Sequence, residues 1–136
     1  METRIQYRGG ARFTAETRGH RVECDQPASN GGADTGMTPP EFLLVSLGTC
    51  AGYYAAEYLK IHELPTEGLE IRVAAEKALR PARLGAFRIE VIVPGLDAAR
   101  EAGILRAVNA CLVKNTLAAL PAIETVVYAA EPACAH

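Results

Sequence analysis

The residues of this chain best suited to chemistry are its four cysteines, Cys24, Cys50, Cys111 and Cys134. Cys50 stands near the middle of the run TPPEFLLVSLGTCAGYYAAEYLK, residues 38–60. A free cysteine in such a run is either a small hydrophobic core residue or a reactive nucleophile. A thiol in mid-helix gains nothing from the N-terminus of its own helix, so a low pKa there is expected to require a nearby cation.

Two glycines, Gly48 and Gly52, flank Cys50 within the same run. Each costs about 1 kcal/mol of helix propensity relative to alanine. Their presence predicts that something approaches the helix backbone beside the sulfur. Cys111 follows Val108 by three residues, which predicts a side chain on the core face of a second helix. Alone it would be a structural thiol, whereas beside Cys50 it would resolve a sulfenic acid.

Other kinds of site find little support in the residue spacings. The sequence contains no C-x-x-C and no H-x₃₋₅-H, and His20, His62 and His136 are scattered, which argues against zinc and iron–sulfur centres. The loop NGGADTG matches neither a dinucleotide-binding nor a Walker motif. No histidine stands where it would mark the base of a cysteine hydrolase.

The length of the chain and its N-terminal residues predict a single cytoplasmic domain. The chain of 136 residues predicts a single domain, residues 1–136. Its net charge of −2 gives no reason to expect a nucleic-acid partner. The start METRIQYRGG lacks the apolar core of a signal peptide, so we expect a cytoplasmic protein with reduced thiols.

A long helix is predicted to carry Cys50. Thr38, Pro39 and Glu41 have the pattern of an N-cap, a first helical residue and the N3 residue of a capping box. The helix is predicted to continue to about residue 60, with Pro65 as its stop.

This helix is apolar around most of its circumference. Residues 42–59 sit at the lower edge of membrane-spanning length and include Gly, Ser and Thr, so we interpret them as a buried helix without membrane insertion. A helix of this kind must be covered on nearly all sides. One small sheet covers only one side, so a second subunit, and therefore a homodimer, is predicted.

The remaining elements give the order βββ–α–ββ–α–β, which is typical of an α+β fold with antiparallel hairpins. Asp97 is predicted to cap the second helix, residues 98–113, and Asn115 a further helical turn. The tail, residues 132–136, is expected to be frayed. Strands are predicted at residues 4–7, 11–17, 21–25, 69–79, 86–95 and 123–131.

Two segments resemble the OsmC/Ohr superfamily, the osmotically inducible and organic-hydroperoxide-resistance proteins: GGADTGMTPPEFLLVSLGTC and CLVKNTL. The second is closer to the OsmC-like branch than to Ohr proper. The resemblance implies an OsmC-like fold, with antiparallel sheets and a long central buried helix. It also implies an intertwined homodimer with active sites at the subunit interface, and chemistry that needs no metal, haem or flavin cofactor.

The resemblance implies that Cys50 is the peroxidatic thiol and Cys111 the resolving one. The activity would be reduction of organic hydroperoxides to alcohols, followed by a disulfide that an external dithiol reduces. Glu41 matches the glutamate that the family's Ohr branch pairs with an activating arginine. Arg12 is the closest positional match to that arginine, and Arg18 is a rival.

Glu41 cannot touch Cys50 directly, because nine helical residues place the two on opposite faces about 13 Å apart along the axis. It would act through a bridging arginine or across the dimer, and its capping role is sufficient without either. Two other functions stay open: a non-catalytic dimeric module that binds or senses a lipophilic ligand, and a plain structural dimer. Phe42, Tyr53 and Tyr54 would line a lipophilic pocket or serve as ordinary core aromatics.

Overall fold

The computed structural model describes residues 1–130 and confirms the predicted α+β class. Within these residues it has five strands in two antiparallel sheets and three α-helices. The N-terminal sheet is a meander of β1 (Arg4–Tyr7), β2 (Phe13–Thr17) and β3 (His20–Cys24). All three strands were predicted from their short runs between glycine-containing turns.

One face of the N-terminal sheet is apolar and open. The rings of Tyr7 and Phe13, paired across β1 and β2, lie 5.3 Å apart. Ile5 and Val22 extend the same face and are about half exposed. None of these side chains belongs to the hydrophobic core described below.

A buried carboxylate organises the loop that joins β3 to the first helix. Asp25 is fully buried and accepts hydrogen bonds from the backbone N–H groups of Gln26, Ala33 and Thr35, at 2.8–3.1 Å. The Thr35 hydroxyl adds a fourth bond at 2.8 Å. Bonds from the Thr35 backbone first, and then from the other donors, outweigh desolvation and lower the pKa of Asp25 to about 2.

Helix α1 (Pro39–Ile61) begins after Thr38, which confirms the predicted N-cap position. The capping box itself forms differently. The Thr38 hydroxyl donates to Glu41 Oε1 at 2.8 Å and makes no bond to a backbone N–H group.

Helix α1 is buried on one face. Val45, Tyr53 and Ile61 are between 42% and 75% exposed, so the single chain leaves much of the apolar circumference open. The second subunit predicted to cover it stays a prediction. The buried positions follow the helical repeat along one stripe: Leu47, Gly48, Ala51, Ala55 and Leu59.

Strands β4 (Glu70–Ala78) and β5 (Arg83–Ile92) form the predicted antiparallel hairpin, which packs on α1. Its side chains explain the two glycines of α1. A Cβ at Gly48 would lie 2.9 Å from Val73 Cγ2, and one at Gly52 would lie 3.2 Å from Ile71 Cγ1. Two residues of helix correspond to a rotation of about 200°. The glycines therefore face the hairpin, on the side of α1 away from Cys50, and the prediction of an approach beside the sulfur is wrong.

The second predicted helix is interrupted. Asp97 caps it as expected, because Asp97 Oδ1 accepts from the backbone N–H of Ala99 at 3.1 Å. Residues 98–100 form a 3₁₀ turn, α2 (Glu101–Val108) follows, and a new helix, α3 (Leu112–Ala118), begins after a three-residue turn. The hydrophobic core lies between α1, α2 and the hairpin, and its buried members are Ala51, Ala55, Leu59, Ile104 and Val108.

The interruption changes the positions of two predicted residues. Cys111 is the N-cap of α3, where its sulfur accepts from the backbone N–H of Lys114, and it does not lie in the last turn of α2. Asn115 lies inside α3, so its prediction as a cap is wrong.

Residues 119–130 form no strand in the described part of the chain, so the strand predicted over 123–131 is wrong as far as residue 130. The alternating pattern that predicts it needs a neighbouring strand, and the chain folds none against this segment. Leu120, Ile123 and Val127 are each at least 86% exposed as a result. Cys134 and the tail predicted to be frayed lie outside the described residues.

Candidate functional site: a pair of thiols

The structure brings Cys50 and Cys111 together, although they are far apart in sequence. Cys50 lies on α1 and Cys111 caps α3, and these two helices pack against each other. Both cysteines are free thiols, and each influences the pKa of the other, so the two side chains are neighbours. From the sequence alone, this proximity was a condition for Cys111 to act as a resolving thiol, and the distance could not be predicted.

The two thiols differ in access. Cys111 is fully buried, with 0% of its surface exposed, whereas Cys50 is only half-buried. A reagent from solvent therefore meets Cys50 first.

Hydrogen bonds favour the thiolate of Cys50. Burial raises the pKa of Cys50, but bonds from the Cys111 thiol and from the backbone N–H groups of Val113 and Leu112 outweigh it and lower the pKa overall. Leu112 and Val113 open α3, where the first N–H groups have no partner within the helix. Backbone donors thus lower the pKa of Cys50 without a cation, and the expectation that a low pKa requires one stays a prediction.

Cys111 has the opposite tendency. Burial raises the pKa of Cys111, the bond that it donates to Cys50 raises it further, and the N–H of Lys114 opposes both. That N–H lies 3.4 Å from Cys111 Sγ. Lys114 Nζ also donates to Asn109 Oδ1 at 2.7 Å, which closes the turn around Cys111. Cys50 thus ionises first, while Cys111 keeps its proton.

Glu41 and Arg12 have other partners in the described chain. Glu41 accepts from Thr38, and Arg12 Nε donates to Glu23 Oε1 at 2.7 Å on the N-terminal sheet. Arg18 lies in the turn between β2 and β3 with a φ of 51°. The chain does not form the arginine–glutamate pair that the resemblance implies, and the activating roles of these residues stay predictions.

A cavity of about 500 Å³ adjoins the thiols. Tyr54 stands one helical turn after Cys50, and Ala110 and Leu112 flank Cys111, so the cavity lies beside both cysteines without either of them lining it. Tyr53, whose ring meets that of Tyr54 edge-on at 5.3 Å, is 63% exposed. The cavity is completed by Asn115, Thr116, Ala119 and Pro121.

The backbone donors of Leu112, Val113 and Lys114 are the functional groups that the sequence analysis missed. Backbone N–H groups have no residue-type signature, so only the interruption between α2 and α3 could have indicated them. Within residues 1–130, no group of three or more His, Cys, Asp or Glu side chains could hold a metal ion. None of the described helices is long and apolar enough to cross a membrane.

A family model described as OsmC-like protein matches residues 31–126. A Psychrobacter arcticus structure named for the osmotic stress and detoxification response is 20% identical, with a TM-score of 0.76 over 84% of this chain and 85% of that one. An OsmC-like protein from Mycoplasma pneumoniae is 17% identical, with a TM-score of 0.73 over 88% and 87%. An organic hydroperoxide resistance protein from Legionella pneumophila is 15% identical, with a TM-score of 0.59 over 86% and 89%. No curated protein matches the sequence. At these identities the structural likeness establishes a shared fold.

Proposed function

The chain belongs to the OsmC-like family, and on that premise we propose that it is a thiol-dependent peroxidase that reduces organic hydroperoxides. The contact between the half-buried Cys50 and the buried Cys111 carries the proposal. A lone core cysteine needs no second thiol bonded to it, whereas a two-cysteine redox cycle requires one. The Legionella pneumophila relative is named as an organic hydroperoxide resistance protein, which supports this substrate class.

The reaction uses the asymmetry of the pair. The Cys50 thiolate attacks the terminal oxygen of the hydroperoxide, the O–O bond breaks, and the departing alkoxide takes a proton to become the alcohol. Cys50 is then a sulfenic acid. The Cys111 sulfur attacks it, a disulfide forms, and the oxygen leaves as water. The two thiols supply the two electrons that the hydroperoxide accepts, and an external dithiol restores them.

We assign Glu41 and Arg12 the family's activating pair as part of this proposal. Because Arg12 is bonded to Glu23 and Glu41 to Thr38, the pair must form across a homodimer or by exchange of partners. The open apolar surface of α1 and of the N-terminal sheet supports a homodimer, since exposed patches of this kind mark interaction sites. We place the protein in the cytoplasm, where its thiols would be kept reduced.

The test is intact mass after brief exposure to stoichiometric cumene hydroperoxide. Wild type is expected to lose two hydrogens, and Cys111→Ser is expected to gain one oxygen on Cys50. Cys24→Ser is the matched control and should behave as wild type, because Cys24 lies on the N-terminal sheet. Unchanged masses in wild type and Cys111→Ser would refute the peroxidase proposal.

A second candidate function is binding of a lipophilic ligand. A separate groove of about 600 Å³ lies between β5 and α2, with Ile89, Val91 and Ile104 in its wall. Titration with a fluorescent fatty acid tests this candidate. Saturable binding by a chain that hydroperoxide leaves unchanged in mass would favour it over the peroxidase.

A further inference from the structure

We infer that the external dithiol attacks the Cys50 sulfur of the Cys50–Cys111 disulfide, so that Cys111 is always the sulfur that leaves. The inference rests on the proposed two-cysteine cycle and adds the direction of its last step. It also describes the reducing partner, which must bring its thiolate to a half-buried sulfur on α1 and needs no access to the core.

Access is the first reason. Nucleophilic attack on a disulfide proceeds in line with the S–S bond, from the side opposite the leaving sulfur. Attack on Cys111 would require an opening of the fold, because Cys111 is 0% exposed. Attack on Cys50 requires no such opening, because Cys50 is only half-buried.

The acidity of the two thiols opposes this direction. The thiol with the lower pKa leaves faster, and the pKa is lowered at Cys50 and raised at Cys111. Access outweighs this preference, since a nucleophile from solvent cannot reach a sulfur that has no exposed surface. The N–H of Lys114, already 3.4 Å from Cys111 Sγ, can donate to the departing Cys111 thiolate. This bond makes Cys111 a better leaving group than its raised pKa alone would allow.

The step balances as an ordinary exchange. The reductant thiolate forms a bond to Cys50 Sγ while the Cys50–Cys111 bond breaks, and its electron pair goes to Cys111, which then takes a proton. The second thiol of the reductant attacks the reductant's own sulfur in the mixed disulfide. This releases the oxidised reductant and the Cys50 thiolate, which accepts again from Leu112 and Val113.

The experiment maps the mixed disulfide in a Cys24→Ser, Cys134→Ser chain, in which the pair supplies the only cysteines. Diamide forms the disulfide without any need for peroxidase activity. Brief treatment with glutathione, an acid quench and maleimide labelling then show by peptide mass which cysteine carries the adduct. We expect at least tenfold more glutathione on Cys50 than on Cys111 at early times, with Cys111 labelled by maleimide.

Equal or greater glutathione on Cys111 would overturn the inference, as would failure of diamide to join the pair. A disulfide that forms with diamide but not with hydroperoxide would refute the proposed peroxidase alone, and the direction of reduction would still be measured. Cys50→Ser provides a second readout. Its remaining Cys111 should react with a disulfide reagent far more slowly than Cys50 reacts in Cys111→Ser, and similar rates would contradict the argument from access.

Discussion

The substitution Leu112→Pro tests one of the backbone N–H groups that lower the pKa of Cys50. Leu112 is the first residue of α3, it is 65% exposed, and its N–H group lowers the pKa of Cys50. Proline is favoured at the first helical position, where its missing N–H costs the helix nothing. The preceding Cys111 has φ −54° and ψ 119°, close to the backbone region that a residue before proline prefers. The substitution thus removes one donor and little else.

The expected effect is a higher pKa for Cys50. A hydrogen bond to a charged acceptor contributes about 1.5–3 kcal/mol to stability. Sulfur accepts N–H groups at longer distances than oxygen, and Leu112 lowers the pKa less than Cys111 or Val113 does. The lower end, about 1.5 kcal/mol, is therefore an upper limit, which corresponds to at most roughly tenfold less thiolate below the pKa.

The assay is the rate of iodoacetamide alkylation at Cys50 as a function of pH, followed by peptide mass. Leu112→Ala is the matched control, because it removes the same exposed side chain and keeps the N–H. Circular dichroism verifies that both variants fold. If Leu112→Pro and Leu112→Ala react at the same rate across the pH range, backbone donors do not set the reactivity of Cys50.

Three further predictions concern the scaffold. The pKa of Asp25 is lowered from 3.8 to about 2, so its contribution to stability is complete above pH 3.8 and is lost as pH falls towards 2. Urea unfolding should show this loss in wild type and not in Asp25→Asn, which should already be less stable at neutral pH. Gly48→Ala should lower the stability of the protein in thermal unfolding, because overpacking costs about 1–3 kcal/mol and exceeds the gain in helix propensity of about 1 kcal/mol. Gly52→Ala has more room for the added methyl group and should leave the stability nearly unchanged. Leu59→Ala should cost about 2–5 kcal/mol in urea unfolding, against less than about 0.5 kcal/mol for the exposed Leu105→Ala.

The elements that the sequence predicts well are those set by local pattern. The five strands before residue 93 and the long helix α1 follow from alternation, turn residues and the Thr38–Pro39 start. The break between α2 and α3 was missed because helical periodicity continues through residues 109–111. The strand predicted over 123–131 was wrong for a different reason, since a strand depends on an edge that its own pattern does not specify.

The sequence could predict which two cysteines form the site, but it could not predict how they are arranged. Residue types identified Cys50 and Cys111, and the resemblance supplied their roles. Which thiol ionises more readily depends on the turn at residues 109–111, because Cys111 is buried there and α3 begins there, with two N–H groups that lower the pKa of Cys50. The break between α2 and α3, which the sequence periodicity does not reveal, is therefore what makes the two thiols differ in pKa.

Backbone amides hold both of the anions that matter in this chain. The Asp25 carboxylate and the Cys50 thiolate each accept from N–H groups whose positions are fixed by the fold. Such donors are in place before the charge forms, so ionisation requires little reorganisation around them. Arginine, by contrast, must be held in position, and Arg12 is held by Glu23. An activating arginine would therefore add to a thiolate that the fold already favours, so loss of Arg12 should slow Cys50 without abolishing its reactivity.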